Sequence, residues 1–172
     1  MKKALALAIG LVVLGVFGSA AAAQEKAAPA KKKAAAKTMA PPMNPSDIQW
    51  GEAPPNLPAG AKFAVLMGDP GKTGPYVIRL KMPDGYKIAA HWHPLDENAT
   101  VISGTFNVGM GDKLDMSKGK ACTAGAFATV PARMHHFGWT TGETEIQVHG
   151  MAPFKLTYVD PADDPTKAAA KK

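Results

Sequence analysis

Between Asn44 and Pro165 the chain holds no sustained helical period. Its apolar and β-branched residues come in short runs, cut at close and fairly even spacing by glycine, proline and aspartate. Runs of this kind read as strands, and many of them at this spacing make a sandwich, jelly roll or barrel. The pattern predicts strands over Lys62–Met67, Tyr76–Lys81, Tyr86–Trp92, Ala99–Ile102, Thr105–Met110, Ala126–Val130, Phe137–Thr140, Thr144–Gly150 and Phe154–Tyr158. The breakers include Asp69-Pro70-Gly71, Pro83-Asp84-Gly85, Ser103-Gly104, Gly111-Asp112 and Thr141-Gly142-Glu143. Asp84-Gly85 and Ser103-Gly104 carry the glycine that a tight hairpin turn needs for positive φ. Asp115–Lys118 is expected to form a single helical turn. About 120 residues so arranged bury a sizeable core without disulfides.

Both ends read differently. Lys2 and Lys3 precede an uncharged apolar run, Ala4–Phe17, and Ala21-Ala22-Ala23 offers a small-residue cleavage site before Gln24. This is the pattern of a signal peptide over residues 1–23. The run is short for a spanning helix, which needs about 20 residues. No stable membrane anchor is therefore expected after cleavage, and the mature protein is expected to be periplasmic or secreted. Residues 24–43 are mainly lysine, alanine and proline and cannot bury enough surface to offset their ordering entropy, so they read as a disordered linker. The folded domain is expected over 44–163, with a second disordered tail at 164–172.

The net charge of +6 comes from these ends. Residues 1–40 carry seven lysines and one glutamate, and the tail carries Lys167, Lys171 and Lys172. Residues 41–165 are left with ten basic and thirteen acidic side chains, a balance of −3. A nucleic-acid-binding domain carries its basic stripe on its folded part, so no nucleic-acid partner is expected. Cys122 is the lone cysteine, which rules out an intrachain disulfide and suits a buried thiol between Ala121 and Ala124.

All five histidines lie between His91 and His149. Residues two apart on a strand share a face, so His91 and His93 project together and Trp92 points away. Pro94-Leu95-Asp96 leaves room for a turn that returns Glu97 to the two imidazoles. Two imidazoles and a carboxylate on adjacent strands form an open-sided site suited to first-row divalent ions. Further on, Pro131 ends a strand that Gly125 begins, and His135-His136 precedes the next one. On strand parity His135 faces away from the side that His136 takes.

Residues Gly85–Gly104 read GYKIAAHWHPLDENATVISG, which resembles the first motif of the cupin superfamily. Gly85, His91, His93, Glu97 and Gly104 fall at its spacing. Gly125, Pro131 and His136 match the second motif; Arg133 stands at its second glycine and Thr140 at its asparagine. The resemblance covers about Lys62–Tyr158. It implies an all-β fold, the double-stranded β-helix or jelly-roll barrel. It also implies one divalent transition metal ion inside, on His91, His93, Glu97 and His136. Zinc, manganese, iron and copper are the candidates, ahead of nickel. Gln147 and His149 share one face of their strand and are expected to point into the cavity. Tyr158 is a further pocket candidate, and Arg133 stands near enough to meet an anionic group. Trp92 and Trp139 are read as barrel packing.

A metal with such ligands can polarise a bound oxygen, lower the pKa of bound water or orient a chelating molecule. The expected function is that of a small metal-dependent enzyme, of dioxygenase, isomerase or hydrolase type, acting on a small polar organic molecule. The alternative is a non-catalytic protein that binds or senses a small ligand or the metal. Cupins often pair through barrel edges, so a homodimer is also compatible.

Overall fold

A computed structural model describes residues 40–169, and its compact unit begins at Pro41. The signal-peptide reading, the linker up to residue 39 and the last three residues lie outside the described residues. Nine strands are described: β1 Gly51–Glu52, β2 Lys62–Met67, β3 Gly74–Met82, β4 Lys87–Trp92, β5 Glu97–Met110, β6 Lys120–Thr123, β7 Phe127–Val130, β8 His136–Ala152 and β9 Thr157–Tyr158. They form one curled sheet in which every pairing is antiparallel. This is the jelly-roll barrel that the resemblance implies.

Two long strands hold the roll together. β5 and β8 pair along nearly their whole lengths, from Glu97↔Gly150 to Met110↔His136. The start of β8 also pairs with β4 and its second half with β3, while the two halves of β5 carry β7 and β6. Each long strand thus belongs to both walls of the barrel. Burial follows the strand period of two: Tyr76, Ile78, Leu80 and Met82 point inward from β3, and Thr144, Ile146 and Val148 from β8. Phe137 and Trp139 with Ala90 form a smaller cluster toward the other end.

Two predicted breaks are therefore corrected. Ser103-Gly104 and Thr141-Gly142-Glu143 interrupt no strand; they are a paired irregularity inside β5 and β8. Between the rungs Ser103↔Glu145 and Thr105↔Thr141, one residue of β5 faces three of β8. Gly104 and Gly142 both take φ of +74° there, which lets the ladder turn the corner without ending. The fully buried Thr144 hydroxyl accepts from the Thr105 amide at 3.1 Å and lies 3.1 Å from the Thr105 carbonyl oxygen, within donating reach. It stands in for the ladder bonds lost at the bulge. Asp84-Gly85 is no hairpin either, because β3 and β4 do not pair but flank β8. Asp84 Oδ1 accepts from the Gly142 amide at 2.6 Å and ties that turn to the same corner. Pro165–Ala169 forms one helical turn.

A Cβ on Gly104 would stand 2.2 Å from the Glu143 carbonyl oxygen and 2.6 Å from Thr144 Oγ1. At Gly125, which has φ of +85°, it would meet nothing within 4 Å. Gly104→Ala is expected to cost roughly 3 kcal/mol, strain plus overpacking. Gly125→Ala is expected to cost about 1 kcal/mol, the conformational term alone. Urea unfolding midpoints check both, and equal losses would contradict the corner's role.

Candidate metal centre

His91 lies on β4 directly opposite His136, the first residue of β8. His93 stands one residue past the end of β4, and Glu97 opens β5 after the turn through Asp96. Asp96 Oδ1 accepts from the Ala132 amide at 2.7 Å, and the His93 carbonyl accepts from the Arg133 amide at 2.7 Å. The two turns that deliver His93, Glu97 and His136 are thus tied to each other. The three histidines are buried, and one ring nitrogen from each lies within 4.8 Å of the other two.

The hydrogen bonds fix which nitrogen faces inward. Nδ1 of His91 lies 2.8 Å from the Ala89 carbonyl oxygen, that of His93 3.0 Å from Lys155 and that of His136 3.1 Å from Met134. A carbonyl only accepts, so each Nδ1 carries a proton and each Nε2 is the nitrogen turned toward the cluster. Glu97 Oε2 sits 3.4 Å from His93 Nε2 and 3.2 Å from His136 Nε2. His93 Nε2 is buried with no hydrogen-bond partner. With neutral rings these nitrogens and the carboxylate repel unless a proton or a metal ion lies among them, and three imidazole nitrogens beside a carboxylate are a donor set that fits a divalent metal ion. Phe154 stacks on His93 with ring centroids 4.6 Å apart and holds its plane.

Ionisation follows from the same crowding. Burial, then the charges of His136 and His93, pushes His91 down to about 3, so its ring is neutral at pH 7. Burial pushes the Glu97 carboxyl up, but His136 and His93 beside it pull harder and hold it below the ordinary carboxylate range. Neutral imidazoles and an ionised carboxylate are the forms that bind metal.

These groups line a cavity of about 200 Å³ whose walls are otherwise almost wholly apolar, among them Leu80, Ile88, Val101, Phe106, Ile146 and Leu156. The structure does not bring the other candidates into it. Gln147 points to the outer face and accepts from Arg79 Nε at 3.1 Å, next to the Arg79–Glu145 ion pair. His149 also lies on that face, 6.3 Å from the Phe127 ring. Tyr158 is core, its hydroxyl donating to the Asn56 carbonyl at 2.9 Å. Arg133 is exposed, with φ of +63°, the conformation that glycine takes freely at this motif position. The expectation for Gln147 and His149 fails because the interior is hydrocarbon, so the apolar half of the alternation, Ile146 and Val148, turns inward. Of the remaining candidates, His135 meets Asp112 at 2.7 Å, and neither Trp92 nor Trp139 lines the cavity. Cys122 is half-buried and does line it.

One neighbour was invisible to spacing arguments. Tyr76, Gly150 and Glu97 stand on one rung across β3, β8 and β5. Tyr76 is 1% exposed, and its hydroxyl has no hydrogen-bond partner. Burial, and then the charge of Glu97, raises its pKa. Only strand register shows this proximity.

A family model described as "Domain of unknown function (DUF4437)" matches residues 16–154. Solved structures share the fold. The polyketide cyclase RemF from Streptomyces resistomycificus is 14% identical, with a TM-score of 0.61 over 77% of this chain and 94% of its own. A protein from Methylibium petroleiphilum PM1, described provisionally as an acetylacetone dioxygenase, is 19% identical, with a TM-score of 0.58 over 76% and 88%. An RmlC-like cupin from Shewanella frigidimarina NCIMB 400 is 16% identical, with a TM-score of 0.50 over 64% and 88%. No curated protein matches by sequence. At these identities the structural likenesses establish the cupin fold.

The lowered His91 pKa has a checkable sign. Below its ordinary value of 6.5 and down to about 3, the unfolded chain takes up a proton that the folded chain refuses. Metal-free protein should therefore lose stability as pH falls through that window, by about 2 kcal/mol between pH 7.5 and 5 from this residue alone. Urea midpoints at the two pH values measure the loss, and His91→Gln should flatten it. A midpoint that holds or rises on acidification would contradict the assignment.

Proposed function

The chain belongs to the family described as Domain of unknown function (DUF4437), which has the cupin fold, and from that membership we propose a small metal-dependent enzyme. One divalent transition metal would be held by Nε2 of His91, His93 and His136 together with Glu97, beside a small organic molecule in the cavity. The observation that supports this most is the convergence of three imidazole nitrogens and an ionised carboxylate at the inner end of an apolar cavity. A metal bound there supplies Lewis-acid polarisation of a ligating oxygen.

The chain's own groups have definite tasks in this reading. The carbonyls of Ala89, Lys155 and Met134 keep the three rings in one tautomer and orientation. The apolar walls exclude water and so strengthen every charge interaction at the cluster. Glu97 is the one carboxylate that lines the cavity among the described residues, and in this reading it is committed to the metal. No serine, threonine, lysine, arginine or aspartate lines the cavity among the described residues.

The same shortage of acids and bases favours one second reading, a protein that binds a small ligand at its metal without converting it. A turnover screen on protein loaded in turn with iron, manganese, copper and zinc separates the two. For the enzyme, activity is expected to follow one metal and to fall at least 100-fold in His93→Ala. Saturable ligand binding without turnover under every metal would favour the binder.

We also propose that the chain is exported and cut before Gln24, on the strength of Lys2, Lys3, the Ala4–Phe17 run and Ala21-Ala22-Ala23. Protein from the cell-envelope fraction is expected to begin at Gln24. An intact Met1 in all of it would refute this.

A further inference from the structure

Within the proposed metal-dependent reading, the cavity restricts what the bound molecule can be. Among the described residues its lining has only six side chains with a polar or sulfur group: His91, His93, Glu97, His136, Asn56 and Cys122. Four of these are the cluster itself. Among the described residues the lining contains no lysine or arginine, and Arg133, the one cation expected near the site, is exposed on its turn. The charges of this part of the sheet lie outside, in the Arg79–Glu145 pair and its neighbour Gln147.

We propose that the cavity takes a small, uncharged, hydrocarbon-rich molecule that presents oxygen ligands at one end, toward His91, His93, His136 and Glu97. An acid group elsewhere on the molecule would be buried with no cation to meet it. A polyol would bury several hydroxyls against Leu80, Ile88, Val101 and Ile146, each costing about 1–3 kcal/mol without a partner. A cationic ligand would find Glu97 alone, and that carboxylate already faces His93 and His136. The volume, about 200 Å³, lies below the roughly 300–1,000 Å³ of pockets that hold drug-sized ligands. Small substituted aromatic diols or short dicarbonyl compounds meet these conditions; sugar acids, amino acids and phosphate esters do not.

Calorimetry on the zinc-loaded full chain tests this with three probes of similar size: catechol, 3,4-dihydroxybenzoate and a pentose. The first two carry the same oxygen pair and differ by one carboxylate; the third is polar throughout. Catechol is expected to bind at least 30-fold more tightly than either of the others. Equal or tighter binding of the acid or the pentose would overturn the proposal, as would failure of all three on protein shown to carry zinc. A chain that takes up no zinc would fail the metal reading instead. The cavity is then tested alone with toluene, for which saturable binding supports an apolar ligand and no binding overturns it.

Discussion

The backbone carbonyls of Ala89, Lys155 and Met134 each hold the Nδ1 of a buried histidine, and with those bonds the character of the site is decided. Every imidazole is left with its Nε2 turned inward, and two of them face an ionised carboxylate. Such a cluster is costly in a low-dielectric interior unless positive charge enters it. Protonating His91 is a poor remedy, because burial and two neighbouring imidazoles resist it. A proton between Glu97 and His136 or His93 answers part of that cost in the metal-free chain, and a divalent cation would answer more of the donors at once. The metal reading therefore rests on hydrogen-bond geometry as well as on residue identity.

That geometry depends on the roll. Glu97 and His136 are the first residues of β5 and β8, at opposite ends of the antiparallel ladder between these strands. A straight ladder would keep them far apart. The irregularity at Gly104 and at residues 142–144 lets both strands bend and carry their ends round to one side of the barrel, where His136 also pairs with His91. Thr144, Asp84 and Thr140 secure the bend through hydrogen bonds to Thr105, Gly142 and Pro83. Fold stability and site assembly thus share one corner of the molecule.

Much of this was legible in the sequence. Short apolar and β-branched runs between turn residues located most strands, and β2 was read to the residue. The spacing of His91, His93 and Glu97 was enough to place two imidazoles and a carboxylate together, and the motif resemblance added His136. Strand continuity was not legible, because Ser103-Gly104 and Thr141-Gly142-Glu143 carry the same residue types as true turns. Nothing local distinguishes a bulge whose partner strand bends with it. Inward and outward faces of β8 were assigned by chemistry, with polar Gln147 and His149 placed beside a metal. The barrel instead follows burial, and Ile146 and Val148 take the interior. Tyr76 was missed because its nearness to Glu97 crosses two strand pairings that no spacing within one segment reveals.

The account stands most directly on the identity of the atoms around a bound metal. X-ray absorption on the metal-loaded full chain counts them, through the scattering pattern that imidazole rings impose. Three imidazole nitrogens with the rest oxygen is the predicted shell, falling to two imidazoles in His136→Ala. A shell with one imidazole or none, or one containing the sulfur of Cys122, would contradict it.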